Sequence, residues 1–478
     1  MCAFRQDRTP IPEETTDERK ATFGQVLQPY TEGEAVLEAA RCLQCAMPFC
    51  VQACPITQDC RGYIDLIAKR RFDEAARLVL RDNPLGTVLC KTCYHYCEED
   101  CVKGGRGDPI AIRHLKRASL ELGNPPPFYE PPKELKEERV AIVGAGPAGI
   151  MASWDLALRG YSVTVFEEHA FAGGQTTTIP KYHLAGDELP KDLDRFQKLG
   201  IRWEMGKKAG VDLTPEGLLE QGFQAVYLAM GASNPRRLGI PGEDLPGVFY
   251  ALPFLLAINE GTEGLFGRKD RRVLVIGGGD VALDAARSAR RLAVDGQVTL
   301  VYRRPEEDMR ASEEEHLGGE IEGVHFLFER APVEIRGDGH VGSMVLRRTE
   351  LAPPDPQGKR VLVEVPGSEE VLDCDTIIVA AGEVMDTKGL PPELELKPSR
   401  HGWPEGVQPK HMTAVKGIFA SGGQSVVYAM EAGAQAAQAI DAYLSQKKGR
   451  PTTPRPDPFG GAVPAELPAG YGGPTWHL

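Results

Sequence analysis

The chain has 478 residues, 42% of them hydrophobic and 26% charged, a composition typical of a globular protein with about two to four domains. Its formal net charge of −13 argues against a nucleic-acid-binding surface, because such surfaces are basic. The sequence has neither an apolar run of about 18 residues that could span a bilayer nor the apolar N-terminal segment of a secretory signal, so we expect a cytoplasmic protein.

Residues 1–135 are predicted to form a helical unit. Thr31 and Glu34 have the spacing of a capping box, which predicts that a helix begins there. Amphipathic patterns over residues 64–83 and 109–123 predict further helices. The proline-rich and charged residues 124–138 are typical of a linker to the next domain.

Nine of the 11 cysteines fall between Cys42 and Cys101, which favours a metal or redox site over a disulfide framework. They include two groups of four, spaced C-x2-C-x4-C-x3-C-P and C-x2-C-x3-C-x3-C. The first resembles the ferredoxin run that ends in C-x3-C-P, so the two groups predict two [4Fe–4S] clusters. Zinc is the alternative, because paired C-x2-C units also build tetrahedral zinc sites. The predicted metal ligands are Cys42, Cys45, Cys50, Cys54, Cys90, Cys93, Cys97 and Cys101.

A first strand, glycine turn and helix begin at Arg139. Gly144, Gly146 and Gly149 fill the pattern G-x-G-x-x-G, in which the glycines permit a tight turn, close approach of a pyrophosphate and close helix packing. Glu167 ends the second strand, about twenty residues further on, where an acid accepts hydrogen bonds from ribose hydroxyls. The pattern therefore predicts a dinucleotide-binding unit.

A second unit of the same kind follows about 130 residues later, and two such βαβ units predict two nucleotide-binding domains. Gly277 and Gly279 occupy the first two glycine sites and Ala282 the third. Its second strand leads to Arg303 and Arg304 instead of an acid. Guanidinium groups bind a 2′-phosphate, so the pair favours NADP(H) over NAD(H). Two solvated surface arginines are the alternative interpretation.

Between Cys101 and Cys374 the sequence has no cysteine, so neither nucleotide unit carries the dithiol that a flavin disulfide reductase needs. Cys374 itself is expected to be a small buried residue. Electrons taken from a nicotinamide must leave by another route, and the cysteine groups of the N-terminal unit offer one.

With these motifs placed, the chain resembles the family of the small (β) subunit of bacterial glutamate synthase. It is similar more broadly to the N-terminal half of dihydropyrimidine dehydrogenase and to the large subunit of NADH-dependent ferredoxin:NADP oxidoreductase. The segments that carry the resemblance run from about residue 25 to residue 446 and are "YTEGEAVLEAARCLQCAMPFC", "CYHYCEEDC", "VAIVGAGPAG", "GVFYALPFLLA", "VLVIGGGDVALDAAR", "YRRPEEDMRAS", "VLRRTELAPPDPQGKR" and "GIFASGG".

The resemblance implies an α/β fold in which a helical Fe–S domain precedes two Rossmann-like domains, with the NADPH domain inserted into the FAD domain. The expected boundaries are 1–135 for the [4Fe–4S] domain, 136–245 and 377–446 for the FAD domain, 246–376 for the NADPH domain and 447–478 for a disordered Pro/Gly-rich tail. The expected cofactor-binding residues are Gly144, Gly146, Pro147, Ala148, Gly149, Glu167, Gly174, Gln175, Gly277, Gly278, Gly279, Asp280, Val281, Ala282, Arg303, Arg304, Gly382, Gly423 and Gln424.

The resemblance also implies how the cysteines are shared. It assigns Cys42, Cys45, Cys50 and Cys101 to one cluster, and Cys54, Cys93 and Cys97 to the other. Relatives vary in the fourth ligand of the second cluster, and the corresponding position here is Lys116, whose ammonium cannot be a ligand. Cys90 is the expected fourth ligand and Cys60 the competitor. Gln424 is a second departure, since similar proteins usually place an aspartate there.

The function that these features imply is oxidation of NADPH at FAD, followed by transfer of single electrons through two [4Fe–4S] clusters. The expected partner is the FMN-containing large subunit of glutamate synthase, which forms glutamate from glutamine and 2-oxoglutarate, in a hetero-oligomer. A sister oxidoreductase that serves ferredoxin or a pyrimidine-reducing subunit is the alternative. A zinc-stabilised, flavin-binding interaction protein is a third possibility.

Overall fold

The computed structural model describes residues 6–262, 271–354, 360–398, 404–405 and 411–460. The N-terminal unit is helical, as predicted, and Thr31 and Glu34 form the predicted capping box. Residues 64–83 form parts of two helices, separated where Arg70 adopts a φ of 60°. The helices are α1 (Thr16–Ala21), α2 (Glu32–Ala39), α3 (Phe49–Ala53), α4 (Cys60–Ala68), α5 (Phe72–Asp82), α6 (Gly86–Thr92), α7 (Tyr96–Glu99) and α8 (Ile112–Leu122).

The remainder of the chain alternates strands and helices. In the first nucleotide unit these are β1 (Arg139–Val143), α9 (Pro147–Leu158), β2 (Ser162–Glu167), α10 (Glu188–Asp194), β3 (Arg202–Met205), α11 (Pro215–Glu220), β4 (Ala225–Leu228) and β5 (Asn234–Pro235). In the second they are β6 (Val248–Tyr250), α12 (Ala251–Glu260), β7 (Arg272–Ile276), α13 (Asp280–Leu292), β8 (Gln297–Val301), α14 (Glu313–Glu322), β9 (His325–Leu327), β10 (Arg330–Arg336), β11 (Ser343–Leu351), β12 (Leu362–Asp373) and β13 (Thr376–Val379). The chain then forms β14 (Glu383–Val384), β15 (Lys397–Pro398), β16 (Pro404–Glu405), β17 (Ile418–Ala420) and α15 (Val426–Lys448).

Two parallel sheets of five strands form the centre of the nucleotide units. The first has the order β17-β4-β1-β2-β3 and the second the order β6-β13-β7-β8-β9. Because β17 rejoins the first sheet after β13 has completed the second, the second unit is inserted into the first, as predicted. The central strands are buried along almost their whole length, as expected for parallel sheets with helices on both faces. Strand β13 belongs to the second sheet, so that sheet extends to residue 379, three residues beyond the expected boundary at 376.

The helical unit packs against both nucleotide units. The carboxylate of Asp192 on α10 accepts hydrogen bonds from the backbone N–H groups of Thr87 and Val88, at 3.2 and 3.1 Å, and so caps α6. On the other side, Arg113 donates to both carboxylate oxygens of Glu314 on α14, at 2.8 and 2.9 Å. These contacts fix the two ends of the segment from Thr87 to Arg113, which carries Cys90, Cys93, Cys97 and Cys101.

A buried ion network holds α13 and α14 together. The Glu322 carboxylate is fully buried and accepts two hydrogen bonds each from Arg287 and Arg291, at 2.6 to 3.0 Å. Nearby, burial alone would lower the pKa of His183, but the charge of Glu315 and a hydrogen bond with Asp284 raise it to about 9.

The segment after α15 differs from the disorder expected for residues 447–478. Helix α15 extends to Lys448, and residues 449–460 follow a defined path over the surface. Phe459 is buried, with its ring centroid 5.2 Å from that of Tyr129, and Arg455 lies over the Trp154 ring at 4.7 Å. These aromatic contacts order a stretch that composition alone marks as disordered. Residues 461–478 lie outside the described residues.

Candidate functional site

The first glycine turn is packed tightly on its protein side and open on the other. Gly144 adopts a φ of 109°, and a Cβ there would lie 2.4 Å from the carbonyl oxygen of Ala229. A Cβ at Gly149 would lie 1.9 Å from the Gly144 oxygen, so helix and turn meet closely. At Gly146, by contrast, the nearest atom to a Cβ is the Gly174 Cα at 3.8 Å, and no side chain caps α9. The unpaired N–H groups of the first turn of α9 therefore face open space, which fits a pyrophosphate.

Glu167 and the loop of Gly174 and Gln175 border this turn. The Glu167 carboxylate accepts hydrogen bonds from the backbone N–H groups of Ala145 and His169, at 2.7 and 3.0 Å. Each oxygen retains a second lone pair with which it could accept from a ribose hydroxyl. The Gln175 amide donates to the Ala232 carbonyl, and Gly174 adopts a φ of 53° close to Gly146. Gly146, Glu167, Gly174 and Gln175 thus border one open turn, and their role in binding a dinucleotide stays a prediction.

The second glycine turn is likewise packed tightly on one side and open on the other. A Cβ at Gly277 would lie 2.4 Å from the Ala380 oxygen, and one at Gly278 would lie 2.3 Å from the Tyr302 ring. A Cβ at Gly279 would meet no atom within 4 Å. Gly279 precedes α13, which has no side-chain cap, so this helix also presents free N–H groups. Ala282 is fully buried against the turn, whereas Val281 is only partly buried.

Asp280 has a structural contact that the sequence did not indicate. Its carboxylate accepts from the Ser312 N–H and from the Tyr94 hydroxyl, both at 2.9 Å, and burial raises its pKa. Tyr94 directly follows Cys93, so this contact joins the second glycine turn to the cysteine-bearing unit.

Arg303 and Arg304 lie just beyond the carboxyl end of β8, beside this turn. Arg303 is exposed, and Arg304 forms an ion pair with Asp308 at 2.9 Å. The structure also places Arg310 here, since its backbone N–H donates to the Gly278 oxygen at 2.9 Å. Sequence reasoning did not single out Arg310, because it stands outside the second strand.

The C-terminal candidates lie at the carboxyl edge of the sheets, where nucleotides bind. Gly382 adopts a φ of 98° and a Cβ there would meet open space. A Cβ at Gly423 would lie 2.3 Å from the Ala429 N atom, so the first turn of α15 requires glycine at this position. Gln424 is exposed in the turn between β17 and α15.

Four cysteines lie close together in the first of two groups: Cys42, Cys45, Cys50 and Cys101. Burial is the main cause that raises the pKa of Cys42 to about 12, and the charges of Cys50, Cys101 and Cys45 raise it further. Buried Arg41 holds this arrangement, donating to the Glu38 carboxylate at 2.6 Å and to the Asp108 carbonyl at 2.7 Å. We call these four residues the first cysteine group.

Cys54, Cys93 and Cys97 line a cavity together with Cys60, Lys116 and residues that include Val427 of α15. We call Cys54, Cys93 and Cys97 the second cysteine group. Burial raises the pKa of the Cys54 thiol to about 11. The rings of Tyr96 on α7 and Tyr428 on α15 are 5.3 Å apart, so the cavity adjoins the turn that holds Gln424.

Cys90, the expected fourth ligand of this group, is close enough to Lys116 for the two charges to interact, but its thiol is turned away from the cavity. Its buried thiol donates to the Thr87 carbonyl at 3.1 Å, and it does not line the cavity among the described residues. The structure therefore brings together seven of the eight predicted cysteines in two groups and leaves Cys90 apart. Cys374 is fully buried, as expected.

The donor set fits iron–sulfur clusters. Nine described cysteines within the helical unit supply soft ligands, and all ten described cysteines are free of disulfides. Burial raises the pKa of the Cys42 and Cys54 thiols, so metal binding there would release their protons.

Comparison with known families identifies the nucleotide units. A family model described as pyridine nucleotide-disulphide oxidoreductase matches residues 138–441. The chain belongs to this family. A second model, described as dihydropyrimidine dehydrogenase domain II, 4Fe-4S cluster, matches residues 19–123 of this oxidoreductase. The predictions of an oxidoreductase and of FAD, NADPH and 4Fe–4S cofactors are confirmed, while the individual ligands stay predictions.

Relatives of this oxidoreductase serve different systems. The glutamate synthase [NADPH] small chain of Halomonas elongata is 33% identical over 92% of this chain and 96% of its own length. The NADP(+)-dependent formate dehydrogenase subunit beta of Moorella thermoacetica is 35% identical over 84% of this chain, which spans 61% of that protein. The structure of FprA from Mycobacterium tuberculosis in complex with NADPH matches 66% of this chain with a TM-score of 0.55 at 19% identity, and so shows the same fold.

No described helix of this oxidoreductase is long and apolar enough to cross a membrane. The homologues confirm the predicted resemblance to the small chain of glutamate synthase. They leave the physiological partner open.

Proposed function

We propose that this chain is the electron-input subunit of a glutamate synthase, which oxidises NADPH and delivers electrons to a separate large subunit. The observation that carries the proposal is the position of α15. Its first turn follows Gln424 at the edge of the FAD cradle, and its Val427 lines the cavity of the second cysteine group. The N-terminus of α15 would thus border both the flavin and the cluster that first receives electrons from it.

When bound, FAD would supply hydride chemistry with NADPH, and the clusters held by the cysteines would supply one-electron transfer. The chain supplies position and charge. The uncapped N-termini of α9 and α13 bind the two pyrophosphates, and the open faces at Gly146 and Gly279 let them approach. Arg303 and Arg304 select the 2′-phosphate.

The first cysteine group lies where electrons would leave the chain for the partner subunit. Large apolar side chains next to its members are exposed, with 50% of Leu43, 59% of Met47, 45% of Phe49 and 48% of Val102 accessible to solvent. Exposed apolar residues concentrated around a redox site are typical of a surface that another subunit covers. The second group adjoins the turn that holds Gln424 and the first lies beside this surface, which supports electron flow from the flavin site to the surface.

The match over nearly the whole of both chains favours the small chain of glutamate synthase as the functional counterpart. A large subunit that forms glutamate from glutamine and 2-oxoglutarate is then the partner, in the cytoplasm. The second candidate is the input subunit of another NADP-linked enzyme, which the 35% identity to a formate dehydrogenase subunit supports.

The test is reconstitution from anaerobically purified proteins. The chain alone should contain acid-labile sulfide and be bleached by NADPH, and with the large subunit it should support NADPH-dependent glutamate formation. Met47→Glu should abolish that coupled activity and leave NADPH oxidation with an artificial acceptor unchanged. Leu135→Glu is the matched control, because Leu135 is 81% exposed and distant in sequence from the cysteines.

Zinc in place of iron and sulfide would refute the proposal. Coupling to a formate-oxidising partner instead of the glutamate-forming one would favour the second candidate.

A further inference from the structure

The cavity of the second cysteine group contains one cysteine more than the group itself. Cys54, Cys93 and Cys97 line it, and so does Cys60 at the start of α4. The Cys60 thiol lies within hydrogen-bonding range of the thiols of Cys50 and Cys97. The first group already has four cysteines, whereas the second has three, so a [4Fe–4S] cluster in the second lacks one ligand.

The backbone holds Cys60 firmly in this position. Asp59 caps α4 by accepting from the Gly62 N–H at 2.9 Å, and the Cys60 N–H donates to the Gln58 carbonyl at 2.7 Å. Thr57 adopts a φ of 46°, which turns the chain sharply between Cys54 and Cys60. The two thiols are thereby directed into the same cavity.

The cavity also contains a cation. Lys116 is 6% exposed, and its ammonium forms no hydrogen bond or ion pair within the part of the chain that the structure describes. The thiols whose charge would act on this ammonium are those of Cys93, Cys90, Cys97 and Cys54. A buried ammonium without a partner is costly, and a negatively charged cluster would supply the missing countercharge.

We propose that Cys60 is the fourth ligand of the second cluster, which Cys54, Cys93 and Cys97 complete, and that Lys116 is a positioning residue whose ammonium faces this cluster. On assembly the Cys60 thiol releases its proton to solvent as the sulfur–iron bond forms. The cation favours the more negative, reduced state and so raises the reduction potential of this cluster. The inference rests on the proposed function, because it assumes iron–sulfur clusters.

The test compares Cys60→Ala with Cys90→Ala in the full-length, anaerobically purified protein. Cys60→Ala should lose about half of the iron and acid-labile sulfide, together with one of the two cluster signals in electron paramagnetic resonance spectra. Cys90→Ala should keep both. FAD content and the thermal unfolding midpoint report whether each variant is folded.

Two further variants guard against a folding defect. Cys60→Ser keeps the side-chain volume and should change the spectrum of one cluster, since an oxygen would replace the sulfur. Lys116→Cys in the Cys60→Ala background should restore iron, sulfide and signal, because position 116 lines the same cavity.

The proposal is overturned if Cys60→Ser leaves both spectra unchanged or if Cys90→Ala loses a cluster. A wild-type protein without labile sulfide would instead refute the proposed function itself, so the two failures are distinguishable.

The cation has its own measurement. In potentiometric titrations, Lys116→Met should lower the midpoint potential of one cluster and leave the other in place. Lys69→Met is the matched control, since Lys69 is an exposed residue that directly follows α4 and pairs with Asp65 at 2.8 Å. An unchanged potential in Lys116→Met would overturn this part of the proposal.

Discussion

Replacing Gly279 by alanine should separate ligand binding from folding at the second glycine turn. The backbone at Gly279 has φ −111° and ψ 176°, which alanine adopts freely, and the new Cβ would meet no protein atom within 4 Å. Loss of chain flexibility in the unfolded state stabilises the variant by about 0.4–1 kcal/mol. The poorer N-cap preference of alanine offsets this by about 0.5–1 kcal/mol. The free energy of unfolding should therefore change by less than ~1 kcal/mol.

The added methyl group occupies the face that we assign to the NADPH pyrophosphate. We expect the Kd for NADPH to rise by about tenfold or more, which corresponds to ~1.4 kcal/mol or more. Stopped-flow bleaching of the flavin at increasing NADPH concentration measures this Kd, and thermal unfolding measures stability.

Gly278→Ala is the matched control, because there the Cβ would lie 2.3 Å from the Tyr302 ring. That ring is held by a 2.9 Å hydrogen bond from its hydroxyl to the Asp308 carbonyl, so the substitution should cost about 1–3 kcal/mol of stability. If Gly279→Ala binds NADPH as well as the wild type does, the nucleotide does not use this face.

Three further predictions follow from other parts of the structure. Arg303→Ala and Arg304→Ala should raise KM for NADPH far more than KM for NADH in steady-state assays, and equal effects would contradict their role. The pKa of His183 near 9 exceeds its ordinary 6.5, so its stabilising effect is complete below pH 6.5 and is lost as the pH rises through 9. His183→Gln should remove this pH dependence of the free energy of unfolding, which amounts to about 3 kcal/mol at most between pH 6 and 10. Denaturant unfolding across that range measures it, and a pH dependence that persists in the variant would exclude the ion pair of His183 with Glu315. Glu322→Ala should lower the free energy of unfolding by about 3–5 kcal/mol, because two buried guanidinium groups lose their partner, and a change below about 1 kcal/mol would show that water replaces it.

Local patterns predict the elements of this fold well because each is encoded by neighbouring residues. The capping box at Thr31 and the two glycine turns follow from spacing and hydrophobic runs, whereas the insertion of one nucleotide unit into the other was implied by the family resemblance. The extra residues of β13 were missed, since a strand boundary depends on its partners β6 and β7.

The cysteine groups show where a linear pattern stops being informative. Spacing places Cys90 next to Cys93, but helix α6 directs the Cys90 thiol back to the Thr87 carbonyl. Cys60 belongs to neither spaced group, yet the turn at Thr57 brings it into the cavity. Which thiols meet is a tertiary property, set by how α4 and α6 each pack against α8.

The late position in the chain of the ordered segment at residues 449–460 has a consequence for biogenesis. Arg455 approaches Asp82 of the helical unit and Asp155 of the first nucleotide unit, each at 3.6 Å, and thus ties the two together. The ribosome adds Arg455 only after every cysteine and glycine turn that we assign to a cofactor. All cofactor-binding segments are therefore synthesised before the Arg455 ion pairs can form. A chain truncated at residue 449 would keep every one of these segments and lose the Arg455 ion pairs.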